Sequence, residues 1–369
     1  MNNKKIIHLV AAARPNFMKI APLFHQLSKE SWCQVRLVHT GQHYDPNMSD
    51  AFFRDLRIPA PDFHLEIGSG SHAQQTGGVM IAYEKICMEH RPDWIVVAGD
   101  VNSTVACAMV GAKLWIPVVH LEAGLRSGDR RMPEEINRLA TDAICDVLWT
   151  PSPDADENLL REGTDPARID QVGNIMIDSY EMLREQIAAE GSRARLIPDW
   201  TSYAVVTLHR PSNVDDRESL TTIVDQLIAT SRDLPLIFPV HPRTRNKLKE
   251  FALLDKLAGN ASIRLTEPLG YIEFMNLVTG ARAVITDSGG VQEETTYLRI
   301  PCITLRENTE RPTTLKQGSN RLMKPERIAA AIRDALDGSW KGATPPANWD
   351  GHTAERCVAA LKRRIGITT

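Results

Sequence analysis

Three carboxylates and two histidines stand where polar side chains contribute little to packing. Glu122 closes an apolar run in the segment HLEAGLR at 120–126, a position where a carboxylate is costly unless it is paired or put to use. A salt bridge to Arg126 is the structural alternative. Asp100 follows another apolar run in GDVNST at 99–104, either as the N-cap of a helix rich in small residues or as a functional acid. Glu134 sits in MPEEINR at 132–138, a helix start whose positive dipole end would by itself account for acids. Arg138 lies four residues further on, on the same face. His209 in LHRP and His241 in VHPR each end an apolar run, and packing alone seldom produces two such histidines.

A second group of residues suits an anion. In TDSGGVQEE at 286–294, Ser288, Gly289 and Gly290 would expose backbone N–H groups at a helix N-terminus, a geometry that fits a diphosphate. A plain tight turn is the other reading. Glu294, one turn into that helix, could accept hydrogen bonds from ribose hydroxyls, and Arg311 in NTERP could neutralise phosphate charge. The segment is neither GxGxxG nor GxxxxGK[ST], so hydride transfer and ATP hydrolysis lose their usual sequence support. Near the start of the chain, AAARPNFMK at 11–19 ends a strand and opens a helix, with Pro15 suited to the first helical position. Arg14 would face the ligand. Phe17, Ile20, Ala21 and Phe24 share one helical face and leave Lys19 opposite, toward either solvent or ligand.

What must position these groups is legible in the apolar rhythm. Short apolar runs at 6–12, 35–40, 94–98, 118–123 and 147–150 alternate with helical stretches, and the rhythm resumes at 204–209, 236–240, 263–266, 283–286 and 302–305. Continuous apolar strands separated by amphipathic helices predict doubly wound α/β units with parallel sheets covered on both faces. In such units ligands bind at the carboxyl ends of strands, which is where every candidate above falls. The length of 369 residues exceeds what one core supports, so two Rossmann-like domains are expected, 1–173 and 174–352. A helix at about 353–369 would return to the first.

Composition narrows the possible functions. Hydrophobic residues make up 43% and charged residues 24%, with a formal net charge of -3, which gives no support for a nucleic-acid surface. No segment approaches the ~20 apolar residues of a membrane span. Residues 1–5 are polar and lead into apolar 6–13 without a cleavage pattern, and the six cysteines are scattered with no CxxC pair. A cytoplasmic protein with reduced core thiols and no metal site is expected.

Together the segments ARPNFMKIAP, GQHY, GDVNST, HLEAGLRS, MPEEINR, HR, VHPRTR, DSGGVQEE and ERP, in this order, closely resemble the non-hydrolysing UDP-N-acetylglucosamine 2-epimerase family, and the matches run from Arg14 to Arg311. The resemblance implies a glycosyltransferase-B-like pair of domains with the site in the interdomain cleft, no external cofactor and a homodimer. It implies interconversion of UDP-GlcNAc and UDP-ManNAc by elimination of UDP, a 2-acetamidoglucal intermediate and re-addition of UDP. It makes Asp100, Glu122 and Glu134 the proton-transfer groups. His209 and Arg14 would stabilise the leaving diphosphate with the 288–290 amides, assisted by His241 and Arg311. Glu294 would hold the ribose, Arg138 would sit beside Glu134, and Lys19 would contact substrate. Gln42 and His43, with Gln74 or Gln75, match in part the regulatory site of bacterial members. Where many members carry a glutamate shortly after HR and after ERP, this chain reads HRPSNVDD and ERPTT.

Neighbouring readings differ in outcome. An epimerase of UDP-2,3-diacetamido-glucuronate or a hydrolysing epimerase releasing ManNAc would share these motifs. A glycosyltransferase of the same fold would need an acceptor site and has less use for three carboxylates. A non-catalytic nucleotide-sugar sensor would have little reason to keep them.

Overall fold

A computed structural model describes residues 4–12, 14–41, 53–340 and 342–367, with the side chain of Arg14 outside that set. Gln42 and His43 therefore lie outside the described residues. The chain divides into two compact units, 1–182 together with 347–369, and 183–346; the division falls inside the helix Ile175–Ala189, where the boundary read from the sequence is Gly173.

The first unit is built on a seven-stranded sheet ordered β3-β2-β1-β4-β5-β6-β7. Its strands are β1 (Lys5–Ala11), β2 (Cys33–His39), β3 (Phe63–His64), β4 (Trp94–Ala98), β5 (Val118–Leu121), β6 (Val147–Thr150) and β7 (Ile169–Gln171), and every pairing is parallel. β1 pairs β2 from Lys5 opposite Cys33 to Ala11 opposite His39. Strand order reverses between β1 and β4, so the ends of β1, β4 and β5 lie at the switch point where such sheets bind ligands. Ile7, Leu9, Ile95, Val97, Val118 and Leu148 are all fully buried, each contributing about 1.5–3 kcal/mol by leaving water.

The C-terminal helix Thr353–Ile365 belongs to this unit and packs beside the helix Arg14–Ser28. Its first amides are capped from afar: Thr353 and Ala354 donate to the Asp178 carboxylate at 3.0 and 2.7 Å. Trp349 Nε1 donates to the Pro151 carbonyl at 2.9 Å.

The second unit holds a six-stranded sheet ordered β10-β9-β8-β11-β12-β13. Its strands are β8 (Ala204–Thr207), β9 (Leu236–Pro239), β10 (Ile263–Thr266), β11 (Ala283–Thr286), β12 (Cys302–Thr304) and β13 (Asn320–Leu322). These pairings are parallel as well, and the reversal lies between β8 and β11. Val206, Phe238, Ile285 and Ile303 form its centre.

Strands β3, β7 and β13 have no counterpart among the apolar runs. They are edge strands of two or three residues, paired on one side only and too short to show an apolar run. The run at 118–123 stops early, at Leu121, because Glu122 turns to φ +72°. All six cysteines are buried and unbridged. Among the described residues, no helix is long and apolar enough to cross a membrane.

Candidate active site

In the first unit, the chain turns sharply after β4 and after β5. Gly99 adopts φ +69° and Glu122 φ +72°, a left-handed backbone that costs a non-glycine residue roughly 1–2 kcal/mol. Glu122 is 5% exposed. Its Oε2 is ion-paired with Lys19 Nζ, and its Oε1 is buried with no hydrogen-bond partner among the described residues. Lys19, opposite the apolar face of its helix, points to Glu122. The Glu122–Arg126 pair is not formed, since Arg126 serves Asp142 and Glu162 instead. A side chain at position 99 would bring its Cβ within 2.8 Å of Lys19 Nζ, so the absence of one at Gly99 lets Lys19 reach Glu122.

Asp100 is not a helix cap. The N-cap of the helix Asn102–Lys113 is Val101, with no side-chain capping bond. The Asp100 carboxylate instead receives Arg138 Nε and Nη2 at 3.0 and 2.6 Å, and Asn137 Nδ2 donates to its backbone carbonyl at 2.9 Å. Arg138 is buried and reaches across from the helix Pro133–Ile144.

Within that helix Arg138 pairs with Glu135, at 2.6 Å, and not with Glu134. Glu135 is buried and also accepts from the Ser127 and Gly128 amides at 2.9 Å. Burial alone would raise its carboxyl, but these amides and Arg138 bring it below the ordinary value. Glu134 stands exposed in the same first turn. Adjacent glutamates at a helix start carry no periodic signal that separates them.

In the second unit, a buried carboxylate organises the groups after β8 and β11. Asp287 is fully buried and accepts from His209 Nδ1 at 2.9 Å, from the Arg210 amide at 2.9 Å and from Asn213 Nδ2 at 3.0 Å. Burial alone would raise it, but the His209, Arg210 and Asn213 donors hold it below the usual carboxylate range. With Nδ1 committed, the ring of His209, 41% exposed, has Nε2 to offer. The His241 ring lies 5.8 Å from that of His209. Its Nδ1 accepts from the Arg243 amide at 3.2 Å, and desolvation and then His209 lower its pKa.

The helix Gly289–Leu298 begins with Ser288 as N-cap, without a side-chain capping bond. The Ser288 amide donates to Thr286 Oγ1 at 3.0 Å, so the first helical amides, Gly289 onward, are those without an intrahelical acceptor. A Cβ at Gly289 would meet Arg311 Nη1 and Glu310 Oε1, each at 2.8 Å. Arg311 is paired with Glu293 at 2.7 Å and with Glu310. Glu294, 4% exposed, has its pKa pushed up to about 8 by burial, against the Tyr271 hydroxyl, which lowers it.

The sequence reading thus found the strand-end groups but not most of their partners, His120, Glu135, Asp142, Asn213, Asp287, Glu293 and Glu310. Asp287 stands inside a segment already singled out; a polar residue directly after an apolar strand was the available signal. Among the described residues no three His, Cys, Asp or Glu side chains gather as a metal site would require.

Residues 25–362 match the family described as UDP-N-acetylglucosamine 2-epimerase. The chain is 42% identical over 365 residues to the UDP-N-acetylglucosamine 2-epimerase of Methanocaldococcus jannaschii, covering 96% of this chain and 98% of the relative. The crystal structure of the M. jannaschii enzyme in complex with UDP-GlcNAc and UDP aligns with a TM-score of 0.87 over 97% of this chain and 99% of that one, at 42% identity. The UDP-2,3-diacetamido-2,3-dideoxy-D-glucuronate 2-epimerase of Pseudomonas aeruginosa is 37% identical, covering 90% of this chain and 92% of its own. The glycosyltransferase SnogD of Streptomyces nogalater, at 14% identity and a TM-score of 0.58, shares the fold alone.

Proposed function

The chain belongs to the UDP-N-acetylglucosamine 2-epimerase family, and on that premise we propose that it interconverts UDP-GlcNAc and UDP-ManNAc by removing the C2 proton and expelling UDP from C1, passing through 2-acetamidoglucal, and adding UDP back at C1 as a proton is delivered to the opposite face of C2. The observation that carries this reading is Glu122: a buried carboxylate on a left-handed turn, one oxygen held by Lys19 and the other unpartnered among the described residues. Proton exchange at carbon needs such a group, fixed in place yet with an oxygen still able to take a proton.

In this reading Glu122 and Asp100 move the C2 proton, with Glu134 as a third acid supplied from its helix start. Arg138 orients Asp100, and Lys19 holds Glu122 in place. The second unit binds the nucleotide. The amides from Gly289 onward receive the diphosphate, His209 Nε2 neutralises charge developing on leaving UDP, and His241 and Arg311 assist. Glu294 meets the ribose. Arg14 is assigned to the diphosphate by the family pattern.

Incubation with UDP-GlcNAc in deuterated water tests the proposal: UDP-ManNAc carrying deuterium at C2 is expected, and no incorporation with any of several UDP-sugars overturns it. Free ManNAc in the same spectrum would mark the hydrolysing outcome. A parallel run with UDP-2,3-diacetamido-glucuronate, named for the Pseudomonas relative, decides the sugar. Six free buried cysteines support a reducing, cytoplasmic setting. A homodimer is supported by apolar side chains left in water, Ile81 and Met88 on the helix His72–Glu89 and Trp115 beyond Lys113, exposed by 76%, 68% and 90%; sedimentation of Ile81→Glu against the parent tests it.

A further inference from the structure

The two turns that present Asp100 and Glu122 share one buried support. His120, fully buried in β5, directs Nε2 at the Gly99 carbonyl, 2.8 Å away, and Nδ1 at Asp142 Oδ1, 2.6 Å away. A carbonyl oxygen only accepts, so Nε2 carries a proton. Asp142 Oδ2 accepts from the Gly124 amide at 3.0 Å and from Arg126 Nη1 at 2.7 Å. Burial alone would raise the Asp142 carboxyl, but His120 and Arg126 bring it below its ordinary value. The ring thus lies between a carboxylate and a carbonyl, two acceptors that call for a donor on each nitrogen. Arg126 is fixed from its other side by Glu162.

We propose that the His120–Asp142 pair is the positioning device for the C2 chemistry: it anchors the carbonyl of Gly99, the residue before Asp100, and pins the residues on both sides of Glu122. The proposal rests on the epimerase reading above. His120 lies two residues before Glu122, and Gly124 two residues after; both bond to Asp142. Backbone in a left-handed conformation at a non-glycine residue persists only when its surroundings over-determine it, and Asp142 supplies that constraint. The Glu122 and Ala123 amides both donate to the Trp149 carbonyl, at 3.1 and 3.0 Å, which fixes the third side of the turn. None of these groups needs to touch substrate.

The test compares the full-length parent with His120→Gln and Asp142→Asn. Glutamine at 120 has one short arm that can meet the Gly99 carbonyl or Asp142 but not both, and asparagine at 142 that keeps its oxygen on Gly124 and Arg126 turns its NH2 toward His120 Nδ1, which must then give up its proton. Expected are a kcat lower by about 10²-fold, with the KM for UDP-GlcNAc and the affinity for UDP unchanged, because the nucleotide-binding groups of the second unit are untouched. In histidine-labelled parent, nitrogen NMR should show both ring nitrogens of His120 protonated near neutral pH, with that signature lost in Asp142→Asn. Variants that turn over at the parental rate overturn the proposal, as do variants whose UDP affinity falls as far as their kcat. A His120 ring with one bare nitrogen in the parent also overturns it, a reading that holds even where neither variant folds. A parent that epimerises no UDP-sugar overturns the epimerase reading instead.

Discussion

The acids of the first unit differ in what holds them, and their substitutions should differ accordingly. Asp100 is partly exposed and ion-paired with Arg138, so Asp100→Asn keeps size and one acceptor while removing the carboxylate. Turnover should fall by about 10²- to 10⁴-fold with UDP affinity near the parental value, measured by calorimetric titration. Loss of UDP binding would make Asp100 a structural residue. Glu294 titrates in the other direction from most carboxylates. Its folded pKa of about 8 lies above the ordinary value of 4.5, so the neutral form is favoured by the fold. The stability this provides is complete below pH 4.5 and is lost as pH rises through 8. Glu294→Gln should therefore gain in melting temperature relative to the parent at pH 9 compared with pH 5, while binding UDP less tightly. Equal differences at the two pH values would refute the burial argument.

At the scale of elements, glycines decide how closely loops approach the site. Gly289→Ala would push a methyl to within 2.8 Å of Arg311 Nη1 and Glu310 Oε1, shifting a helix start whose amides are assigned to the diphosphate. UDP affinity should drop by roughly tenfold, about 1.4 kcal/mol, with the deuterium-exchange chemistry slowed only through binding; unchanged affinity would remove the diphosphate from that helix. The strands that carry the site were legible because a strand buried on both faces must be apolar throughout. The edge strands β3, β7 and β13 were not, since two or three residues are too few to show an apolar run. The strand-end position of Asp100, Glu122, His209 and His241 was legible for the same topological reason. Their partners were not: His120 and Asp142 lie on β5 and on a separate helix, and the Arg138–Glu135 choice over Glu134 depends on side-chain reach that spacing does not encode. Glu122 reads in the sequence as the close of its strand, and only the backbone of the folded chain reveals the turn to positive φ.

On the scale of the molecule, the two units respond to pH through different groups. His8 in β1 and His39 at the end of β2 have pKa values lowered to about 4 from 6.5, His8 by burial and by Arg36 and His90, His39 by burial and by His64. Both are favoured as neutral rings in the folded first unit. Their contribution is intact above pH 6.5 and is lost as pH falls toward 4, His8 alone accounting for roughly 3 kcal/mol at most. Scanning calorimetry should show the melting temperature of the first unit dropping over that window, and His8→Asn, which has no titrating ring, should flatten the drop. An acid limb identical in the variant would assign it to other groups.

The C-terminal return has a consequence for how the chain is made. Residues 183–346 are continuous and leave the ribosome as a complete folding unit. The first unit, begun earlier, has its seven-stranded sheet but lacks the helix Thr353–Ile365 and the Asp178 contacts that cap it until the second unit has been passed. Until then the surface beside the helix Arg14–Ser28 is uncovered. Residues made after the second unit are thus the ones that cover the first, and a nascent chain stalled short of them would present an unfinished first unit to chaperones.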